Sequence, residues 1–303
     1  MSNTKIINFF KTLITIVSII IILDLLINIL LSENIKKKIG TTRNYSLKST
    51  KFHHEIAANI DLNEYWGKKK YKIVTNKYAM RVLDENSREG NNSKKNIGFI
   101  GDSFVYGSGI KYENHFINLL KKKNNKYNLL NLGYVSYSPS IYYKKIKYLI
   151  EDQKFNFHKI FLFVDTSDIQ DEGMFYREDS SGNIVRAWLS DEDNAYRSKK
   201  FVIKNYLQQN SFIFKIYQII SAPTIPEKSL ACLENKKKID DFTKYIDNER
   251  FGYGVNKKIQ KKDWVKKGQQ KSINYLNKIK DLSLKYNFEL VIVYYPSAIE
   301  ILN

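Results

Sequence analysis

Between residues 12 and 32 the chain reads TLITIVSIIIILDLLINILLS, an apolar run broken only by Asp24 and Asn28. About 20 apolar residues cross a bilayer as a helix, so residues 12–32 predict a membrane-spanning segment. The run is too long for a signal-peptide core, and ILLSENIKKK offers no small-x-small cleavage site, which points to an uncleaved anchor within residues 1–35. Asp24 is costly in lipid unless it is protonated, snorkels or faces a partner helix.

Residues 33 to about 60 are polar, lysine-rich and without a clear period, as expected of a juxtamembrane linker. YKIVTNKYAMRVLDENSREGNNSKKN then supplies a short strand-like lead-in and a polar loop up to about residue 95.

From residue 96 the pattern becomes regular. NIGFIG at 96–101 predicts a buried strand, and ENHFINLLKKK at 113–123 a helix with Phe116, Leu119 and Leu120 inward. YNLLNLG at 127–133 is a second strand. SPSIYYKKIKYLIED at 138–152 reads as a helix with Ser138 as N-cap and Tyr142, Ile146, Leu149 and Ile150 inward. KIFLFVD at 159–165 is a third strand. The alternation then pauses for an insertion or lid at about 170–265, in which residues 201–220 are predicted helical. It resumes with a helix ending near Asn287 and a fourth strand, FELVIVYYP at 288–296.

Short strands apolar on both faces, separated by amphipathic helices, predict an α/β fold: a mostly parallel sheet in a three-layer α/β/α arrangement over residues 96–303. Such a fold normally has a closing helix after its last strand, so termination soon after residue 296 reads as a domain that continues beyond Asn303.

The composition, 43% apolar and 14% aromatic, excludes a disordered chain. A formal charge of +19 invites a nucleic-acid reading, but the excess is scattered lysine and only seven arginines are present. Planar bidentate readers of phosphate are therefore scarce, and a lysine bias on solvated faces accounts for the charge without a nucleic-acid partner. The single Cys232 excludes an internal disulfide framework.

Ligands of open parallel sheets bind beyond the carboxyl ends of the strands. Three predicted strand ends carry unusual residues: Gly101-Asp102-Ser103, Asn131-Leu132-Gly133, and Asp165-Thr166-Ser167-Asp168. They would converge on one rim. A serine there needs a general base, and the oxyanion of an acyl-transfer intermediate needs fixed donors. Against this stands a plainer reading, in which Asp165, Asp168, Asp171 and Glu172 form a solvated acidic loop capping a helix. Without a partner histidine these carboxylates are a weak case for a metal, and neither metal nor cofactor is expected.

GDSF with its trailing Gly107 and Gly109, NLG after the second strand and an aspartate-rich third strand end resemble the first three sequence blocks of the SGNH (GDSL-type) hydrolases. TNKYAMR at 75–81 resembles the lead-in of membrane-anchored members linked to cell-surface polysaccharide modification, with Ala79 where those usually carry glycine. The resemblance implies an SGNH or flavodoxin-like sheet and a serine esterase or O-acyltransferase acting on an acylated glycan or lipid. Ser103 would be the nucleophile, and its own N–H and that of Gly133 oxyanion donors. Ser167 stands where the family has a third, asparagine donor, and Asp102 and Asp168 would support the site. It also implies a single-pass protein with an extracytoplasmic domain, although Lys36, Lys37, Lys38, Arg43 and Lys48 after the segment, taken by the positive-inside rule, favour a cytoplasmic one.

The family's base comes from a later Asp-x-x-His block, and no histidine follows His158 here. His53 and His54 fall in the linker, His115 near the start of a helix and His158 at the wrong end of a strand. A catalytically inert domain that binds glycan or scaffolds an envelope complex is the rival reading.

Overall fold

The computed structural model of the protein describes residues 3–32, 46–66, 69–87, 94–186, 207, 211–221 and 256–296. Residues 33–45 of the expected linker, most of the insertion and the residues after 296 lie outside the described residues.

Helix α1 (Asn3–Leu30) is followed by strands β1 (Ser46–Ser49), β2 (His53–Ile56), β3 (Asp61–Trp66), β4 (Lys69–Thr75), β5 (Arg81–Val82) and β6 (Lys95–Ile100). Next come α2 (Ser103–Tyr106), α3 (Phe116–Lys123), β7 (Tyr127–Asn131), α4 (Pro139–Glu151) and β8 (Phe157–Val164). Helix α5 (Thr166–Gln170) runs into a π-helical turn at Asp171–Phe175, then β9 (Tyr176–Glu178) and β10 (Ile184–Arg186). The remaining elements are α6 (Phe212–Ser221), α7 (Lys257–Gln260), α8 (Asp263–Lys285) and β11 (Glu289–Tyr294).

The protein is α/β, built on a seven-stranded mixed sheet ordered β11-β8-β6-β7-β5-β4-β3. The first four strands in that order are parallel, whereas β5 pairs antiparallel with both β7 and β4. Contacts divide the chain into one unit containing α1, most of β3 and α6, and another holding the parallel strands and their helices.

In the second unit the apolar spacing works as the period dictates. Val265, Tyr275, Ile279 and Leu282 recur at helical intervals along α8 and are buried, as are Tyr142, Ile146, Leu149 and Ile150 on α4. Burying each such side chain contributes about 1.5–3 kcal/mol. Phe99 of β6 stacks on Phe161 of β8 with ring centroids 5.2 Å apart.

Four expectations need correcting. Leu119 and Leu120 are 45% and 44% exposed, because α3 begins only after His115 and turns Ile117 and Asn118 inward. Ser138 holds the N-cap position of α4 but makes no capping bond, since its hydroxyl donates to Glu172 Oε1 at 2.6 Å. Residues 46–66, read as part of a linker and lead-in, form strands; the buried Phe52 and Ile56 are too few to make a visible period. Glu172 is not solvated: it accepts from the Ser140 N–H at 2.7 Å and pairs with Lys271 at 2.8 Å, so it caps α4 from inside the protein.

Helix α1 is apolar over Ile7–Leu30, with a mean hydropathy of 2.8 and none of that stretch buried in protein. It is long and apolar enough to span a membrane.

Candidate functional site

Parallel strands in register bring their carboxyl ends to one edge. Here Phe99 aligns with Asn131, Ile100 with Leu162, and Val164 with Tyr294, so the residues that follow β6, β7, β8 and β11 share a rim. The chain leaves β6 toward β7 on one side, and leaves β8 toward β11 on the other. That reversal opens a crevice between the ends of β6 and β8, the place where open α/β sheets take their ligands.

Asp102 and Ser103 follow β6 at this point. Asp102 is the N-cap of α2 and accepts the Phe104 N–H at 2.9 Å. The half-buried Ser103 is the first helical residue, and its hydroxyl donates to Asp102 Oδ2 at 3.2 Å. Helix α2 lasts one turn because Gly107 ends it at φ +80. A Cβ on Gly107 would lie 2.3 Å from the His115 ring, so both backbone and space demand glycine.

The turn is held from beneath by Arg81. This residue, 2% exposed, donates to the carbonyls of Tyr106, Gly107 and Ile110 at 3.0, 2.7 and 2.6 Å. Gly133 lies against the same turn: a Cβ there would come within 2.9 Å of the Tyr106 backbone nitrogen. Its N–H donates to Asn131 Oδ1 at 3.1 Å, and Asn131 Nδ2 in turn donates to the Val105 carbonyl at 3.0 Å.

Across the crevice Asp165 is the N-cap of α5, in a reciprocal capping box with Asp168. The Ser167 hydroxyl donates to Asp165 Oδ1 at 2.7 Å. Capping is therefore as the plainer reading expects, but solvation is not: Asp168 is 2% exposed. Burial, then the charges of Asp165 and Asp102, push its carboxyl well above the usual range. Asp165 is raised by burial too, with Asp102 adding to the effect and the Ser167 hydrogen bond opposing it.

The Tyr142 hydroxyl donates to Asp168 Oδ1 at 2.9 Å, with the Tyr137 carbonyl also in reach at 3.2 Å, and this bond opposes part of the rise. On the other side of the crevice Tyr295 donates to Asp102 Oδ1 at 2.6 Å.

The rim thus brings Asp102, Ser103, Asp165 and Asp168 together with two tyrosines that sequence reasoning missed. Tyr295 was within reach of the strand-end rule, since it follows β11 directly; Tyr142 reads only as an inward helix position. Arg81 lies within TNKYAMR, where nothing local sets it apart from the other basic residues.

The histidines stand apart from Ser103. Among the described residues no histidine hydrogen-bonds its hydroxyl. His115 is buried, accepts the Ile117 N–H through Nδ1, and is lowered to about 4 by burial and the Arg81 charge, so it is neutral at neutral pH. His53 and His54 are not in an open linker. His54 Nε2 lies 2.7 Å from the Val135 carbonyl and its Nδ1 lies 2.6 Å from His53 Nδ1. The carbonyl can only accept, so His54 donates to it from Nε2, and a single proton lies between the two facing Nδ1 atoms. Lys145 departs from the solvated-lysine picture as well: burial lowers it to about 8, opposed by the Glu55 charge, and it donates to the Tyr137 hydroxyl at 3.2 Å.

Clefts elsewhere are lined by other chemistry. One of about 230 Å³ lies beside Arg81, Tyr112 and Asn118, and one of about 1020 Å³ lies at the amino ends of the strands beside Asn96, Asn128 and Asn156. Neither includes Ser103. The fold and rim define an α/β protein with an acidic, serine-bearing crevice at the reversal point of its sheet. Comparison of the chain with models of known protein families finds no match, and comparison with curated proteins finds none either.

Proposed function

We propose that the protein is a membrane-anchored serine hydrolase or O-acyltransferase of SGNH type, acting on acyl esters of a glycan or lipid. The observation that carries this reading is the position of Ser103: half-buried, on the first turn after the central strand β6, at the sheet's reversal point and bonded to a carboxylate. On this reading the sheet is the middle of three layers and Ser103 Oγ attacks the acyl carbonyl. The ester bond breaks, the alcohol leaves with a proton, and water or an acceptor hydroxyl then takes the acyl group from Ser103. The Ser103 N–H, at the start of α2, stabilises the oxyanion. For Gly133 and Ser167 to add donors, they must exchange their bonds to Asn131 and Asp165 for the substrate. Asp102, held by Tyr295, orients the serine, and Asp168 supports the opposite wall.

A second reading, a catalytically inert domain that binds glycan or scaffolds an envelope complex, is favoured by a specific observation. Ser103 has no histidine partner among the described residues, and the Gly133 N–H is already bonded. Labelling of the full-length gene product with a fluorophosphonate separates the two. Covalent labelling that is lost in Ser103→Ala is expected; absence of labelling in the folded full-length protein rejects the hydrolase and leaves the inert domain.

A further inference from the structure

Helix α6, FIFKIYQIIS, is apolar except for Lys215, Gln218 and Ser221 and carries Phe212, Phe214 and Tyr217. It is a segment of the insertion, yet its N-terminus meets α1. Asp24 Oδ1 accepts the Ile213 N–H at 2.8 Å, and Ser211 Oγ accepts the Phe214 N–H at 3.0 Å. Two of the N–H groups that a helix leaves unpaired at its start are thereby satisfied, one of them by a carboxylate at the positive end of the helix dipole.

Asp24 lies six residues before Leu30, about 9 Å along the axis from the end of α1. An aspartate in a spanning helix is costly, most at the centre and less toward the interface. A helix N-terminus brought to it offsets that cost. Conversely, α6 leaves Tyr217 and Ile220 62% and 69% exposed, and α1, which its N-terminus meets, is apolar with most of its residues exposed. Exposed apolar side chains of this kind next to a spanning helix mark a binding surface, and an exposed tyrosine suits the depth of lipid headgroups.

We infer that α6 is an interfacial membrane helix, lying in the leaflet that holds the carboxyl end of α1 and pinned there by the Asp24 cap; its partner is the lipid bilayer. The inference rests on α1 spanning the membrane and is independent of any chemistry at Ser103. It gives the otherwise costly Asp24 a structural role. It also ties the insertion to the bilayer surface.

The test uses the full-length protein with Cys232→Ser and a single bimane-labelled cysteine at Tyr217→Cys or Ile220→Cys, reconstituted in phosphatidylcholine and phosphatidylglycerol vesicles. Nitroxide-bearing lipids are expected to quench both labels about twofold or more beyond a label at Lys280→Cys on the exposed face of α8. Quenching no greater than at Lys280 overturns the inference. Protection from both lipid nitroxide and aqueous iodide also overturns it, because the helix is then covered by protein, its own or a second copy. Asp24→Leu, which leaves α1 an apolar anchor, should bring the quenching toward the Lys280 value, whereas Asp24→Asn, which keeps an acceptor, should retain most of it. Unchanged quenching in Asp24→Leu rejects the pin. Retention of each variant in the vesicles through an alkaline wash, scored in parallel, distinguishes failure of the α1 anchor from failure of α6.

Discussion

At Gly107 a single Cβ decides whether the serine turn can form. The backbone there is left-handed, and the His115 ring occupies the space a methyl group would need. Left-handed backbone costs a non-glycine residue about 1–2 kcal/mol, and displacing a buried ring adds to that. Gly107→Ala is therefore expected to destabilise the protein by about 2 kcal/mol or more, read from urea denaturation midpoints; a change within 0.5 kcal/mol, about the scatter of neutral surface substitutions, would show that the turn relaxes freely. This glycine was legible in the sequence as part of GDSFVYGSG, whose spacing marks a turn. Arg81 was not. An arginine 25 residues before Tyr106 looks like any other basic residue until folding brings the carbonyls of the turn around its guanidinium. Three bonds from one guanidinium to carbonyls 25 to 29 residues away leave no trace in local periodicity.

The elements β6 and β8 place their carboxyl ends side by side, and this juxtaposition changes the chemistry of the acids that follow them. Asp165-Thr166-Ser167-Asp168 reads locally as a capping sequence, and α5 uses it as one. Burial and then the charge of Asp165 raise Asp168 above its unfolded value, and Asp102, arriving across the crevice, adds to them. A carboxyl so raised binds its proton more tightly folded than unfolded. Its contribution is fully present below the unfolded pKa of about 3.9 and is lost as pH rises through the folded value. Asp168→Asn mimics the neutral acid and keeps a polar amide beside Tyr142 and the Asp165 N–H. The variant should gain stability relative to the wild type as pH increases above about 4, measured by denaturation at several pH values. A difference that stays constant with pH would show that Asp168 is ionised in the folded protein. The strands themselves were visible from their apolar runs, as were α4 and α8. The β1–β2 hairpin was not, because four-residue strands with at most one buried position carry too little period to stand out from a lysine-rich linker.

For the whole molecule, the governing contrast is between α1, apolar and exposed along its length, and a folded α/β unit built around a mixed sheet. On the proposed reading that unit lies outside the cytoplasm, where acyl esters of surface glycans are found, whereas the lysines after α1 argue the other way. A topology reporter joined after Lys38 is expected to be active outside the cytoplasm; activity inside it counts against surface-glycan chemistry. The sequence by itself determined an apolar segment long enough to span a membrane, the α/β class and the positions of the strand ends, because each depends on local hydrophobic period and on turn residues that act within a few positions. Only the tertiary structure decided that β5, β4 and β3 extend the parallel strands into a mixed sheet. It alone decided that Asp102, Asp168 and two tyrosines share one crevice, that Arg81 holds the serine turn, and that Asp24 caps α6. These are contacts between residues far apart in the chain, set by which surfaces bury one another. The short stretch GDSFVYGSG announces a serine on a tight turn, and the rest of the fold supplies the charges and protons around it.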